Sequence, residues 1–227
     1  MGVKLYHFGL SPFSRAVQMT LTALGVKYSI ETIDLMKGEQ RTDEYKKINP
    51  RGKVPALVDG KLSLGESRAI ACYLCNKYAS GSKKTLYPSA PELRAKVDML
   101  LYVGEWIADT IVEYLNIAGV LFRGEKPKDE KLADVKSCLQ YLEDCLKGQN
   151  YIAGDNLTIA DFFAVCPLLL LENVDFNDYD PYPKLKKWIN TMKSLKYFDE
   201  INKEPMKMFK AAFNEKLNLP AAKQTGF

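Results

Sequence analysis

The chain of 227 residues is 47% hydrophobic and 26% charged, a balance typical of globular proteins that bury a sizeable core. Its 32 Lys and Arg against 28 Asp and Glu leave a formal net charge of +4 without a long basic run, so we expect no nucleic-acid partner. The longest apolar run, residues 162–171, contains Pro167 and is too short to cross a membrane, so we expect no membrane partner.

Five cysteines at irregular spacings do not make the even, regular set of a disulfide framework, and they favour a reducing compartment. The first residues lack the apolar core of a signal peptide. Both features predict a cytoplasmic protein. His7 is the one histidine, and no metal-ligand spacing is visible, so we expect no metal site.

The first 79 residues predict a domain of alternating short strands and helices. Asp59-Gly60 is a strong two-residue hairpin signal, and Gly25 stands where a helix ends. The predicted elements are strand 3–8, helix 13–24, strand 28–35, a short helix at 42–48, strands 54–58 and 61–64, and helix 66–78. Their order, β-α-β-α-β-β-α, is a thioredoxin-like arrangement.

The rest of the chain predicts a linker and then helices to the end. Residues 80–91 are rich in Ser, Pro, Gly and Lys, as linkers are. The predicted helices of the domain at 92–227 are 92–118, 129–146 and one that begins at Thr158. Thr158 and Asp161 have capping-box spacing, and Pro167 predicts a kink in that helix. The fold class is therefore α+β, a thioredoxin-like domain followed by an all-α domain.

Three short motifs point to one kind of ligand. Ser11-Pro12-Phe13-Ser14-Arg15 supplies a hydroxyl at a helix N-terminus, and Val54-Pro55 supplies an extended backbone edge. Glu66-Ser67-Arg68 places polar side chains at a second helix N-terminus, where anions bind. Together the motifs predict a site for a small, anionic, peptide-like thiol.

All three motifs resemble, at matching spacing, the N-terminal domain of the cytosolic glutathione transferases, most closely the serine-type delta, epsilon and theta classes. The run at residues 154–161 is similar to the family segment that opens a buried helix. The resemblance implies reduced glutathione as co-substrate, no further cofactor, and a homodimer. It also implies that the enzyme joins glutathione to small hydrophobic electrophiles.

The resemblance implies that Ser11 is the catalytic residue. A thiol of pKa ~8.5 needs about 2.7 kcal/mol of preference for the thiolate to titrate two units lower. One hydrogen bond to a charged group contributes about 1.5–3 kcal/mol and a helix N-terminus about 0.3–1 kcal/mol more, so one hydroxyl can be enough. Ser11 could instead serve only as a helix cap, and Ser14 and Tyr6 are the competing hydroxyls, both of which we expect to be structural.

The same resemblance assigns the γ-glutamyl and cysteinyl parts of the site. The backbone at Val54, before a cis Pro55, would pair with the cysteinyl part of glutathione; the alternative is an ordinary strand after a trans proline. Ser67 and the helix amides would hold the γ-glutamyl carboxylate, and Glu66 its ammonium, although such a pair could merely cap the helix. Arg68 would hold the same carboxylate or pair across a subunit interface.

The glycine end of glutathione is assigned to Lys53 and Gln40. Gly52 departs from the delta pattern, which has His at this position, and Lys53 could contact the glycine carboxylate in its place. We expect this substitution to alter the glycine end without abolishing binding.

Aromatic residues are the candidates for the electrophile pocket. Phe13 is chosen because it lies beside Ser11, and the others because they recur at helical spacing, although such stripes more often form core. The candidates are Phe13, Tyr102, Trp106, Tyr114, Phe209 and Phe213.

The sequence therefore predicts a glutathione transferase and leaves two alternatives. One is a non-catalytic module that carries hydrophobic ligands or serves an assembly, although such a module would not need Ser11 or the pair Glu66-Ser67. The other is a glutathione-dependent thiol transferase or isomerase, and the absence of Cys at positions 11 and 14 argues against the thiol transferase.

Overall fold

The structure, a computed structural model, describes residues 2–174, 176 and 178–218. Its first half has the predicted element order. The elements are β1 Val3–His7, α1 Pro12–Leu24, β2 Tyr28–Thr32, α2 Asp43–Lys46, β3 Ala56–Asp59, β4 Leu62–Leu64 and α3 Ser67–Tyr78. The predicted thioredoxin-like arrangement is confirmed.

The strands form a four-stranded mixed sheet of order β2-β1-β3-β4 within the described residues. Strand β1 pairs in parallel with β2 and antiparallel with β3. Alternate residues Val3, Leu5 and His7 are buried, as the two-residue period of a strand requires. Strand β2 ends at Thr32 and not at residue 35 because its neighbour β1 ends at His7, the residue paired with Thr32.

The second half is helical, as predicted. Its helices are α4 Pro91–Leu115, α5 Ile117–Arg123, α6 Leu132–Cys145, α7 Ile159–Glu172, α8 Pro183–Lys193 and α9 Phe198–Asn218. The single helix predicted at 92–118 is two helices because Asn116 has φ 46° and ψ 45°, a left-handed conformation that ends α4. Residues 219–227 of the predicted helical domain lie outside the described residues.

Helix α7 is buried along nearly its whole length and packs mainly against α4 and α1. The predicted capping box opens it, since Asp161 Oδ2 accepts a hydrogen bond of 2.8 Å from the Thr158 amide. The predicted kink does not interrupt α7, which is continuous through Pro167. Because Pro167 has no N–H, the Phe163 carbonyl receives no helix hydrogen bond from it. This carbonyl faces Gly104 of α4, where a Cβ would lie 3.2 Å from its oxygen. Close approach of two helices thus covers this carbonyl.

Across residues 2–174, 176 and 178–218, none of the helices combines the length and the apolar composition needed to traverse a bilayer.

Candidate active site

The three predicted motifs lie at one end of the sheet. Strand β1 runs toward Ser11, and Tyr6 near its end pairs with Ala56, so Val54-Pro55 lies beyond the same end. Leu57 pairs with Leu64, so the chain that leaves β4 toward Ser67 emerges there too. The sheet register therefore brings together loops that are distant in the sequence.

Ser11 is the N-cap of α1 and is half-buried. Its Oγ accepts a hydrogen bond of 3.3 Å from the amide of Ser14, so the hydroxyl acts as an acceptor toward its own helix. A serine hydroxyl has one donor hydrogen besides its acceptor lone pairs. The cap therefore leaves the hydroxyl hydrogen available to a group outside the helix, and the capping and catalytic interpretations of Ser11 are compatible.

The competing hydroxyls are packed in the protein. Ser14 is fully buried, and its Oγ lies 3.5 Å from the amide nitrogen of Phe8, which donates to it. Tyr6 packs edge-on against Tyr45, with ring centroids 6.0 Å apart. Both side chains thus have contacts within the protein, and their structural role stays a prediction.

The segment before β3 is held by buried polar contacts. The Val54–Pro55 peptide bond is cis. The carbonyl of Lys53 accepts hydrogen bonds of 2.7 Å from both the Tyr45 hydroxyl and the Asn49 amide group, while the Lys53 side chain is exposed. Asn49 also contacts Gly65, just before α3, where a Cβ would lie 3.0 Å from its Oδ1. These contacts fix the extended backbone edge at Val54 next to the start of α3.

Gly52 brings the segment of Gln40 close to this edge. Its φ is +59°, and a Cβ would lie 2.7 Å from the Gln40 carbonyl oxygen, so a larger residue would have to displace that backbone. The Oε1 of Gln40 is buried without a hydrogen-bond partner among the described residues. The structure therefore places Gln40 and Lys53 on neighbouring segments, and the backbone here is built for glycine at position 52.

Helix α3 begins with an open N-terminus. Ser67 is its first residue and is buried, and no described side chain caps the helix. Glu66 before it has φ 59° and ψ 100°, a sparsely populated conformation for a residue with a side chain. The Glu66 carboxylate accepts a hydrogen bond from Arg51, a contact that the sequence analysis did not predict. Free amides at a helix N-terminus are suited to an anion.

Arg68 mainly connects α3 with α4. Its Nε donates a hydrogen bond of 2.7 Å to the Leu101 carbonyl, and its Nη1 lies 3.6 Å from Glu105 Oε2. The guanidinium carbon is 5.1 Å from the ring centroid of Phe13, which places Phe13 beside the start of α3. Burial lowers the pKa of Arg68, although Glu105 favours its charged form. The Nη2 is buried without a partner in the described part of the chain.

A groove of about 570 Å³ lies between α3 and α4. It is lined by Glu66, Arg68 and Tyr102, so the structure brings one predicted aromatic residue next to two predicted binding residues. A second groove, of about 550 Å³, lies beside α8 and contains none of the predicted site residues.

The prediction that Phe209 and Phe213 line the electrophile pocket is wrong. Both are core residues of α9, 2% and 1% exposed, and their ring centroids are 5.3 Å apart. Trp106 packs edge-on against Tyr141 of α6, and Tyr114 is half-buried against the core. Helical spacing alone did not separate packing aromatics from those that face a groove.

Burial shifts the pKa values of His7 and of the five cysteines. Burial, with the nearby charge of Arg15, lowers the pKa of His7 to about 4. Burial raises the pKa of all five cysteine thiols, to about 12 for Cys75 and about 11 for Cys138 and Cys166. Burial therefore disfavours the thiolate, the reactive form, at each of these cysteines.

No cluster of three metal-ligating side chains occurs among the residues that the structure describes.

The family model "Glutathione S-transferase, N-terminal domain" matches residues 5–83, and the model "Glutathione S-transferase, C-terminal domain" matches residues 92–196. The chain is similar to glutathione S-transferase D7 of Drosophila melanogaster, with 35% identity over 187 residues, which cover 82% of this chain and 81% of the relative.

Solved structures of the same kind superpose over nearly the whole chain. A glutathione transferase homologue from Drosophila mojavensis, solved with bound glutathione, is 34% identical, with a TM-score of 0.87 and coverage of 95% of this chain and 97% of that chain. An epsilon-class glutathione S-transferase from the housefly, Musca domestica, is 32% identical, with a TM-score of 0.88 and coverage of 96% and 99%.

Proposed function

This chain belongs to the glutathione S-transferase family and is a glutathione transferase, and from that premise we propose that Ser11 stabilises the thiolate of bound glutathione. The observation that carries the proposal is the geometry of the α1 cap. Ser11 Oγ accepts from the Ser14 amide, so its hydroxyl hydrogen remains for a sulfur anion at the N-terminus of the same helix. The hydrogen bond and the helix dipole together favour the charged thiol.

The glutathione site extends from Ser11 across the end of the sheet. The backbone at Val54 and Pro55 pairs with the cysteinyl part, and Ser67 with the amides of α3 holds the γ-glutamyl carboxylate. The open α3 N-terminus supports this assignment. Glu66 attracts the γ-glutamyl ammonium, with Arg51 setting the position of its carboxylate.

The side chains of Lys53, Gln40 and Arg68 complete the proposed glutathione site. Lys53 and Gln40 contact the glycine carboxylate, and the exposed ammonium of Lys53 and the nearness of the Gln40 segment support this placement. Arg68 contributes its unpartnered Nη2 at the γ-glutamyl end.

The acceptor substrate is a small hydrophobic electrophile. Phe13, which packs near Arg68 and lies two residues after Ser11, is the aromatic side chain that supports a wall near the thiol. Soft electrophiles react with thiolates, so conjugation follows once the thiol is ionised. Detoxification in the cytoplasm is the role that fits this chemistry.

The proposed enzyme is a homodimer with a glutathione-binding domain at 1–79, a linker at 80–91 and a helical domain at 92–227. Helix α4 supports the dimer, since Met99, Tyr102 and Trp106 lie on one exposed face at 49%, 73% and 42% exposure. An exposed apolar stripe of this kind favours a protein partner.

The Ser11→Ala variant tests the proposal. We expect glutathione affinity and folding to stay close to wild type, because Ser11 holds the sulfur and not the tripeptide. The pKa of the bound thiol, followed by the thiolate ultraviolet difference spectrum, should rise toward ~8.5, and the loss of turnover should shrink as pH rises.

Ser14→Ala and Tyr6→Phe are the matched controls, because each removes a nearby hydroxyl. A thiol pKa that rises in either control and not in Ser11→Ala would contradict the catalytic assignment. Bound glutathione that never ionises at neutral pH in the wild type would favour the carrier alternative.

A further inference from the structure

Arg15 is fully buried and connects the loop before Ser11 to the helical half of the protein. Its Nη1 donates hydrogen bonds of 2.9 and 3.1 Å to the carbonyls of Gly9 and Leu10. Its Nη2 donates to the carbonyl of Cys166 in α7 at 2.8 Å, and its Nε donates to Asn202 Oδ1 in α9 at 3.1 Å. One guanidinium thus contacts three separate segments.

The acceptors of Arg15 are all neutral, and no carboxylate pairs with it in the described ranges of the chain. A buried cation without an anion is costly compared with an apolar side chain of similar size. The planar guanidinium offers several donors in fixed directions, which an apolar residue cannot. Its contribution here is therefore geometric, since it fixes the positions of the backbone carbonyls around it.

Asn202 orients this guanidinium from the helix-α9 side. It is 2% exposed, and its Nδ2 donates a hydrogen bond of 2.9 Å to the carbonyl of Phe198, which turns its Oδ1 toward Arg15. Helix α9 contacts the loop a second time through Pro205, because a Cβ on Gly9 would lie 3.3 Å from the Pro205 Cγ. The first contact reaches the loop before Ser11 through Arg15, and the second is made directly with Gly9 of that loop.

We propose that Asn202 is a positioning residue for the thiolate. Through Arg15 it holds the backbone of Gly9 and Leu10, and this backbone sets where the Ser11 hydroxyl points. The inference rests on the proposed role of Ser11. It adds that a residue of the electrophile-binding half controls how well the glutathione thiol is ionised.

Removing the Asn202 side-chain amide should displace the Ser11 hydroxyl but leave the glutathione-binding residues in place. Arg15 Nε would lose its acceptor, and the loop would relax with it. A misplacement of about 1 Å can cost up to about 100-fold in rate, so we expect turnover at neutral pH to fall roughly tenfold. The bound-thiol pKa should rise by about one unit, which lowers the ratio of thiolate to thiol tenfold at a given pH. Glutathione affinity should stay within about twofold, because the proposed binding residues are untouched.

The experiment compares Asn202→Ala with Asn173→Ala in the full chain. Asn173 is the matched control, since its Nδ2 also donates to the carbonyl four residues earlier, that of Leu169, at 2.8 Å, but it does not contact Arg15. Thiol pKa is read from the thiolate difference spectrum of bound glutathione, and folding from urea unfolding. Arg15→Lys is a second variant. It keeps the positive charge but removes the planar guanidinium, whose N–H groups donate in several fixed directions.

Raised thiol pKa in Asn202→Ala and Arg15→Lys, with a wild-type value in Asn173→Ala, supports the inference. An unchanged pKa in Asn202→Ala, or an equal rise in Asn173→Ala, overturns it. If Ser11→Ala raises the thiol pKa and Asn202→Ala does not, only this inference fails. If the wild type holds no thiolate at neutral pH, the role of Ser11 fails with it.

Discussion

His7 shows at the scale of one residue how burial changes a titration. Its imidazole is 7% exposed, its Nδ1 has no partner among the described residues, and Arg15 is the charged group whose field it feels. The folded pKa of about 4 is below the reference value of 6.5. Between pH 6.5 and about 4, His7 is therefore protonated in the unfolded chain and neutral in the folded chain.

We expect the His7 contribution to the free energy of unfolding to be complete above pH 6.5 and to be lost as pH falls toward 4. The loss amounts to about 3 kcal/mol, at 1.36 kcal/mol per pKa unit. Denaturant unfolding of wild type and His7→Leu at several pH values measures it as a difference between the two curves. Because the chain has one histidine, its imidazole NMR signals also report the folded pKa directly. A midpoint near 6.5 in the folded protein would refute the burial argument.

Ser67 tests the γ-glutamyl end of the proposed site. Ser67→Ala should weaken glutathione binding by about 1–3 kcal/mol, the range for a lost hydrogen bond to a charged group. Calorimetric titration with glutathione measures the change, and Ser63→Ala, an exposed serine of β4, is the control. Unchanged affinity in Ser67→Ala would mean that the carboxylate is held elsewhere.

Some candidate site residues could be predicted because their signals are local. Ser11 and Ser67 each stand at a helix N-terminus, where a small polar residue before an apolar stretch is informative. Arg51 and Asn202 were not predictable as site-supporting residues, because their partners Glu66 and Arg15 are 15 and 187 positions away. Only the folded chain brings these pairs together.

At the scale of the elements, the sequence predicted the order of strands and helices but not every boundary. The hairpin at Asp59-Gly60 and the cap at Thr158 are local, and both are confirmed. The break at Asn116 is accompanied by a contact with Glu125, whose Oε2 accepts a hydrogen bond of 2.9 Å from the Asn116 side chain and which also pairs with Arg123. A contact between a helix end and a later loop leaves no periodic signal.

Helix α4 approaches α7 closely at Gly104, and this contact gives an element-scale prediction. A methyl group there would lie 3.2 Å from both the Cβ and the carbonyl oxygen of Phe163. Overpacking costs about 1–3 kcal/mol, and the gain in helix propensity from Gly to Ala is about 1 kcal/mol. We therefore expect Gly104→Ala to lower the free energy of unfolding by up to about 2 kcal/mol.

Urea unfolding measures this change, and Ala211→Gly on the exposed face of α9 calibrates the propensity gain independently. If Gly104→Ala stabilised the protein by the calibrated amount, the two helices would not be in the close contact that covers the Phe163 carbonyl.

At the scale of the whole molecule, the exposed stripe of α4 predicts self-association. The wild type should sediment as a dimer at micromolar concentration, and Met99→Glu with Tyr102→Glu should shift it toward monomer, because two buried charges would face an apolar partner surface. Sedimentation velocity measures the change. Met208→Glu, at a residue of α9 that is 63% exposed, is the control and should leave the dimer intact. A wild-type monomer, or equal effects at Met99, Tyr102 and Met208, would contradict the assignment of this face.

The burial of the cysteines has a consequence for durability. An enzyme that gathers soft electrophiles exposes its own sulfurs to alkylation at every encounter. Here all five thiols have raised pKa values and remain protonated at neutral pH. Alkylation requires the thiolate. In the proposed reaction the electrophile would therefore be directed to the sulfur of the bound peptide and away from the sulfurs of the enzyme itself.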